Sequence, residues 1–292
     1  TQNNWYLSWR SDYNRKSTQQ TSVVTEINAT NITVNATAGN VTGKGGQLNA
    51  SQNANVSAQG DVKLLGSITQ NSTQESGYKR NDGAELKTGS WKDGNTVQTS
   101  NASHIKTGQN ININAKNNVT TRNAQLTAND INIKAGQTVS IGADKTTNTV
   151  TSRDDKTYWG GIGGGGNGSV NDNKQTAVGS QINAKNDLEV KGNDLEITGS
   201  EAIGNKAANV EANKVKIDGA ITQDTTKNSS RHGTVFNITK DSNHTQNTQQ
   251  NVTSSEVKSN TNLRVRGNQS VDISGSNVSA NNNLDISSNG NV

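Results

Sequence analysis

Five carboxylates crowd one stretch of this chain: Glu189, Asp194, Glu196, Glu201 and Glu211. Clustered carboxylates on an exposed strand face, joined by a basic residue or Ca²⁺, are what polysaccharide lyases and hydrolases need. If the chain winds in coils of about 20 residues, Glu189 and Glu211 fall on adjacent coils. Their counterparts elsewhere in the pattern are Asn112, Arg264 and Asn132, so a solvated strand face is expected and no catalytic residue is assigned. The histidines His104, His232 and His244 show no H-x-x-x-H or similar pairing, and no metal or cofactor is expected. The glycine-rich run 160–168 lacks both the Asp of Ca²⁺-binding nonapeptide repeats and the Lys-Ser/Thr of a phosphate loop, so it reads as a flexible hairpin tip. Sequons at Asn28, Asn118 and Asn237 are what a chain rich in Asn, Ser and Thr produces by chance.

The aromatic residues are the sharper candidates. Trp5, Trp9, Tyr78, Trp91, Tyr158, Trp159 and Phe236 lie outside the expected core, with Trp9, Trp91, Trp159 and Phe236 recurring in register. Two readings stand side by side. Neighbouring hairpins stack into a second sheet whose apolar contacts are these rings, or the rings form an amphipathic row that meets a glycan or a lipid headgroup layer.

The elements that must position them follow from repetition. Ile27, Ile105, Ile182 and Val257 match one another within a repeat interval of 75 to 79 residues. So do Val34, Ile113, Val190 and Val265; Val41, Val119, Leu195 and Val271; Leu48, Leu126, Ile203 and Val278; and Val56, Ile133, Val210 and Ile286. Within each copy the pattern is duplicated at 20 to 22 residues, as in Ile105 and Leu126, or Val265 and Ile286. Local alternation in Asn110-Ile111-Asn112-Ile113 and Asp130-Ile131-Asn132-Ile133 means strands with one buried face. Three short apolar groups per coil imply three strands, each stacked in parallel on the coil below at about 4.8 Å. The fold class expected is all-β, a right-handed parallel β-helix with long β-hairpin extensions.

Asn31, Asn110, Asp187 and Asn262 stand before a strand pair, where Asx side chains satisfy turn backbone and stack into ladders. Ala58, Ala135 and Ala212 suit a narrow inner corner, with Ser288 departing in the fourth copy. Coil pairs are placed at 27–64, 105–141, 182–217 and 257–292 of one elongated domain. Excursions at 1–26, 65–104, 142–181 and 218–256 are read as hairpins with arms of about 15 residues, reaching roughly 50 Å if extended. Their turn signals are Asn81-Asp82-Gly83, the run from Gly160 to Gly168, and Lys240-Asp241-Ser242-Asn243. Two irregular extra coils per copy would also fit that length.

Composition sets the remaining bounds. With 27% hydrophobic and 3% aromatic residues the chain reads as too polar to fold, but a disordered tail has no reason to keep its few apolar residues in register over four copies. A solenoid needs only a thin apolar stripe per layer. Net charge is +4, with Lys and Arg scattered among Asp and Glu, so nucleic acid is not implied. Cysteine is absent, which excludes disulfides and thiolate metal sites. No stretch approaches the roughly 18 apolar residues of a membrane helix. Both ends fall inside the repeat pattern, so a fragment of a longer chain is expected.

The coil pair Gly179-Ser180-Gln181-Ile182-Asn183-Ala184-Lys185-Asn186-Asp187-Leu188-Glu189-Val190, followed by Leu195-Glu196-Ile197-Thr198-Gly199-Ser200, resembles the filamentous haemagglutinin repeats of two-partner secretion exoproteins. The excursion Gly160-Gly161-Ile162-Gly163-Gly164-Gly165-Gly166 is similar to the second type of these repeats, found in contact-dependent growth inhibition effectors and large haemagglutinin adhesins. The resemblance implies a secreted protein of the bacterial cell surface, exported through an outer-membrane secretion barrel and folding outside. It further implies a role in adhesion or in toxin delivery, with a target-cell surface or outer membrane as partner, through protein, glycan or lipid. A glycan-binding module using the hairpin aromatics is the alternative, and a polysaccharide-degrading enzyme a third.

Overall fold

A computed structural model describes residues 9–81, 87–158, 164–233 and 240–292, and its regular structure is all β. Two kinds of strand pairing divide it: parallel ladders and an antiparallel sheet.

Three parallel ladders form the core. The first aligns Ile27, Leu48, Ile105, Leu126, Ile182, Ala202, Val257 and Val278. The second aligns Val34, Val56, Ile113, Ile133, Val190, Val210, Val265 and Ile286. The third runs Val41, Val62, Val119, Val139, Leu195, Val215 and Val271. Rungs about 4.8 Å apart put each apolar side chain in contact with the one above and the one below. Ile133, Ile182 and Val210 are fully buried, while Ile27 and Leu284 on the outermost rungs are 44% and 46% exposed, because they have a neighbour on one side only. Burying each such side chain contributes about 1.5–3 kcal/mol, which is how a chain so poor in apolar residues sustains a core.

One residue of the expected core changes place. Ile203, matched by spacing with Leu48, Leu126 and Val278, pairs with Asn183 and points outward, half-buried; Ala202 takes the inner position and is fully buried. The strand alternates with a period of two, so a one-residue step exchanges inside for outside.

Between the ladder strands Asx side chains reach from one rung to the next. Asn31 Oδ1 accepts from the backbone N–H of Asn53 at 3.2 Å and from its amide at 3.1 Å. Asp130 accepts from the Asp187 N–H at 3.1 Å, and Asn262 from the Asn283 amide at 3.0 Å. A second corner is bridged by Asp61, which accepts from the Asn118 N–H at 3.2 Å and from its amide at 3.0 Å. Each bond satisfies a turn group that no strand partner reaches.

Two members of the acidic group, Glu189 and Glu211, join an ion-pair ladder that runs across the parallel strands. Lys191 stands between the carboxylates of Glu189 (2.6 Å) and Glu211 (3.7 Å), and Lys134 reaches Glu189 at 3.6 Å. The hydrogen bond from Lys191 holds the Glu189 carboxyl below the usual range, and Lys63 does the same for Asp61. Both folded-state values lie below unfolded values of about 4, so their stabilisation is full above that pH and is lost as pH falls through the folded values. The urea midpoint is therefore expected to drop as pH is lowered from about 5 to about 3. Lys191→Gln should remove part of that slope while costing less than about 1 kcal/mol at neutral pH, since the pair is partly exposed. An unchanged slope in the variant would contradict this assignment.

The corner between the third and first ladders takes two forms in alternation. In one it is a tight turn through a left-handed residue: Gly45 (φ 62°), Asn123 (φ 46°), Gly199 (φ 56°) and Gly275 (φ 55°). In the other the chain leaves as a hairpin. These are Ser67–Asn81 with Lys87–Asn101, the outer part of Thr138–Tyr158 with Gly165–Gly179, and Ala220–Gly233 with Lys240–Thr253. Lys240-Asp241-Ser242-Asn243, expected as a turn, is strand paired with Gly233 to Ser230. Gly165 to Gly168 likewise lie in strand rather than in a tip. Cross-strand pairing overrides local turn propensity in both.

The hairpins do not stand alone. Lys87–Asn101 pairs antiparallel with Thr138–Tyr158, Gly165–Gly179 with Ala220–Gly233, and Trp9–Thr18 with Ser67–Asn81. The result is one seven-stranded antiparallel sheet growing from the side of the ladders.

Candidate functional site

The antiparallel sheet is where the candidate residues lie, and its roots are built by serines. Ser103, Ser180 and Ser255 stand where each hairpin returns to the ladders, and all are buried. Their hydroxyls donate to the carbonyl at the point where the same hairpin left: Ser103 to Leu65 at 2.6 Å, Ser180 to Gly142 at 2.9 Å, Ser255 to Asp218 at 2.6 Å. The same hydroxyls accept from the N–H groups of the neighbouring tight corner, Gly45 to Ser103 at 2.9 Å and Ser200 to Ser255 at 3.3 Å. Sequence reasoning passed over these residues, although their recurrence at intervals of 77 and 75 residues was available. In a chain full of Ser and Thr a polar repeat carries little contrast.

Asn123 binds two hairpins to one tight corner. Its amide donates to Ser100 Oγ of the first hairpin at 2.8 Å, and Ser100 donates to Asp144 of the second at 2.8 Å. The matching corners use glycine.

Register fixes which face each side chain takes. Tyr13, Gly77, Trp91, Asp154, Gly168, Ser230 and Asn243 form one rung across all seven strands. A Cβ on Gly77 would lie 2.6, 2.7 and 2.8 Å from Nε1, Cε2 and Cζ2 of Trp91. The Nε1–Cε2–Cζ2 edge of the indole therefore occupies the space that a side chain at this position would need. Tyr13 flanks it, with ring centroids 6.0 Å apart and planes at 40°. Gly77→Ala is expected to lift the indole and raise acrylamide quenching of Trp91, read as the difference from Trp91→Phe. The cost should stay within about 1 kcal/mol, because the sheet can lose the contact without losing a backbone bond.

A cavity of about 640 Å³ on this face is lined by Trp91, Tyr158, Lys79, Asp93, Asp154 and Lys156. Lys156 pairs with Asp154 at 2.6 Å, a hydrogen bond that holds the ammonium above its ordinary value, and Ser152 donates to Asp93 at 2.7 Å. The structure thus brings Trp91 and Tyr158 together. It separates Tyr78, which pairs with Ser90 and faces the other side, over a second cavity of about 450 Å³ with Lys92, Arg153 and Asp155. Trp9 pairs with Asn81, four rungs beyond the Trp91 rung, so these two do not share a rung. Trp5, Trp159 and Phe236 lie outside the described residues.

His104 sits in the first ladder, while His232 and His244 lie on opposite faces of the hairpin sheet. Among the described residues no group of three or more His, Asp or Glu is placed to hold a metal ion. No helix among them is long and apolar enough to cross a membrane.

Parallel ladders of apolar residues that recur in each copy, carrying lateral hairpins, define an all-β repeat protein. The chain belongs to the hemagglutinin repeat family, which it matches over residues 8–161. The resemblance to filamentous haemagglutinin repeats holds at that level. The chain is 33% identical over 276 residues to a hemolysin of Proteus mirabilis, covering 93% of this chain and 18% of that protein. It is also 33% identical over 278 residues to a hemolysin of Serratia marcescens, covering 94% and 17% respectively. The chain therefore spans about a sixth of the length of the curated relatives it matches. No solved structure matches it.

Proposed function

We propose that the three ladders close into a right-handed parallel β-helix of about 20-residue coils, and that this chain is a shaft and interaction segment of a secreted, cell-surface filamentous haemagglutinin-like protein. The hand follows the crossover preference of parallel strands. The observation that carries the reading is the division of labour between the two pairing systems. Apolar side chains are spent in the ladders, whereas the hairpin sheet holds polar and charged groups that a shaft alone does not require. Export through an outer-membrane secretion barrel fits a chain without cysteine. The shaft would serve adhesion or contact-dependent toxin delivery across a target outer membrane, without catalysis of its own. Relatives named hemolysins favour a target that is a membrane.

The test is sedimentation of the labelled chain with erythrocytes and with Gram-negative bacteria. Binding to either without release of reducing sugar supports the reading. Binding to neither would reduce the segment to a passive shaft, and sugar release would overturn the non-catalytic assignment.

A second reading rests on the cavity at Trp91. An indole at the cavity with polar groups of Asp93, Ser152 and Asp154 beside it is a surface on which a sugar ring can stack and hydrogen-bond. Glycan-array binding lost in both Trp91→Ala and Trp159→Ala would favour this module over the shaft reading.

A further inference from the structure

The two faces of the hairpin sheet differ in charge. From the rung of Lys16, Gln74, Gly94, Thr151, Asn171, Lys227 and Gln246 outward, strand alternation sends every other residue to the same side. The side of Tyr78 carries Lys16, Arg80, Lys92, Arg153, Lys227 and Arg231, all exposed, against the carboxylates Asp12 and Asp155 among the described residues. The opposite side, that of Trp91, carries Arg15, Lys79 and Lys156 against Glu75, Asp93, Asp154 and Asp241. Among the residues named, six cations against two anions leave four positive charges on one side, and three against four leave one negative charge on the other. Side-chain contacts respect the division: Arg15 with Glu75 and Lys156 with Asp154 on one side, Arg153 with Asp155 on the other.

From this segregation we infer that the Tyr78 side of the hairpin sheet is a docking surface for a bilayer bearing anionic, phosphate-rich headgroups. The surface spans about 20 Å along the strands and about 30 Å across the seven of them. Cations spread over that area suit a layer of headgroups better than a single phosphate. Tyr78 places an amphipathic ring among the cations, at the depth where headgroups meet water. The inference rests on reading the hairpin sheet as the part presented to a target, and it names the chemistry of that target.

Each Lys or Arg near an anionic surface is worth about a fivefold change in partitioning, and the attraction fades within a Debye length of about 10 Å at 0.1 M salt. The experiment is co-sedimentation of the whole chain with phosphatidylcholine vesicles, with and without phosphatidylglycerol, at low and high salt. Binding is expected to the anionic vesicles only and to be lost at high salt. Lys92→Gln with Lys227→Gln should weaken it about 25-fold. Lys79→Gln with Lys174→Gln removes the same charge from the opposite side and should change it less than about threefold. Far-ultraviolet circular dichroism checks that both pairs keep their sheet. Equal losses in the two pairs, binding to neutral vesicles as well, or capture by heparin or duplex DNA without vesicle binding would each overturn the inference. A chain that binds cells yet ignores anionic vesicles would retain the shaft and interaction reading and remove this one.

Discussion

Ala202→Asp is expected to unfold the middle of the ladders, while Ile203→Asp, one residue further on, leaves them folded. Ala202 is fully buried between Ile182 and Val257, where an ionised carboxylate finds neither water nor a partner. The cost of such a group is about 4 kcal/mol or more. Ile203 points outward, and its rung neighbours are Asn183 and Lys258, so a carboxylate there gains a cation and should cost no more than about 1 kcal/mol. Thermal melting of the two variants, with limited proteolysis to locate the opening, separates them. A more damaging Ile203→Asp would return the core position to the one that spacing alone selects.

The second large effect is expected at Ser180. Its hydroxyl donates to the Gly142 carbonyl at 2.9 Å and accepts from the Ala124 N–H at 3.2 Å, in a site with no exposed surface. Ser180→Ala leaves that cross-coil donor with one acceptor fewer and loosens the root of the second hairpin, at a cost of about 2–3 kcal/mol. Amide exchange should accelerate in Gly165–Gly179 and in the outer part of Thr138–Tyr158 before it does in the ladders, because the hairpin opens from its root. Uniform acceleration across the chain would mean that Ser180 supports the core rather than the hairpin. The bonds from the Ser180 N–H to Ser200 Oγ and from the Ser200 N–H to Ser255 Oγ remain in place, so the loss should stay local.

The ladders were legible because burial leaves a strong mark on sequence. Ile, Val and Leu recur at the spacing of a rung, and Asn and Asp recur where a turn must be satisfied from the neighbouring rung. Ile203 escaped because spacing counts residues and not faces: an isoleucine one position beyond a buried alanine looks like the better core residue. The tight corners were hidden for a related reason. Gly45, Gly199 and Gly275 are scattered among other glycines, and Asn123 takes the same left-handed conformation with a different side chain.

The sheet of hairpins was less legible. The length of each excursion and its aromatic residues pointed outward from the ladders, but which strand pairs with which neighbour depends on residues some 60 to 70 positions apart, as Thr88 and Thr157 or Ser169 and Ser229 are. Local turn signals misplaced the end of the third hairpin, since Lys240 to Asn243 pair with residues before the turn. Trp91 was singled out for its chemistry, while its seat on Gly77 and its neighbour Tyr13 arise only once two strand pairings are fixed.

By itself the sequence determined a repetitive, all-β chain with a thin apolar stripe, because a periodic core must be written periodically. Only the tertiary structure decided the charge of each surface. Lys79 and Arg80 are adjacent in sequence and lie on opposite faces, as do Arg153 and Asp154, because successive strand residues point to opposite sides. A composition count gives the whole chain a net charge of +4 and says nothing of faces, whereas register across seven strands places the excess of cations on one of them.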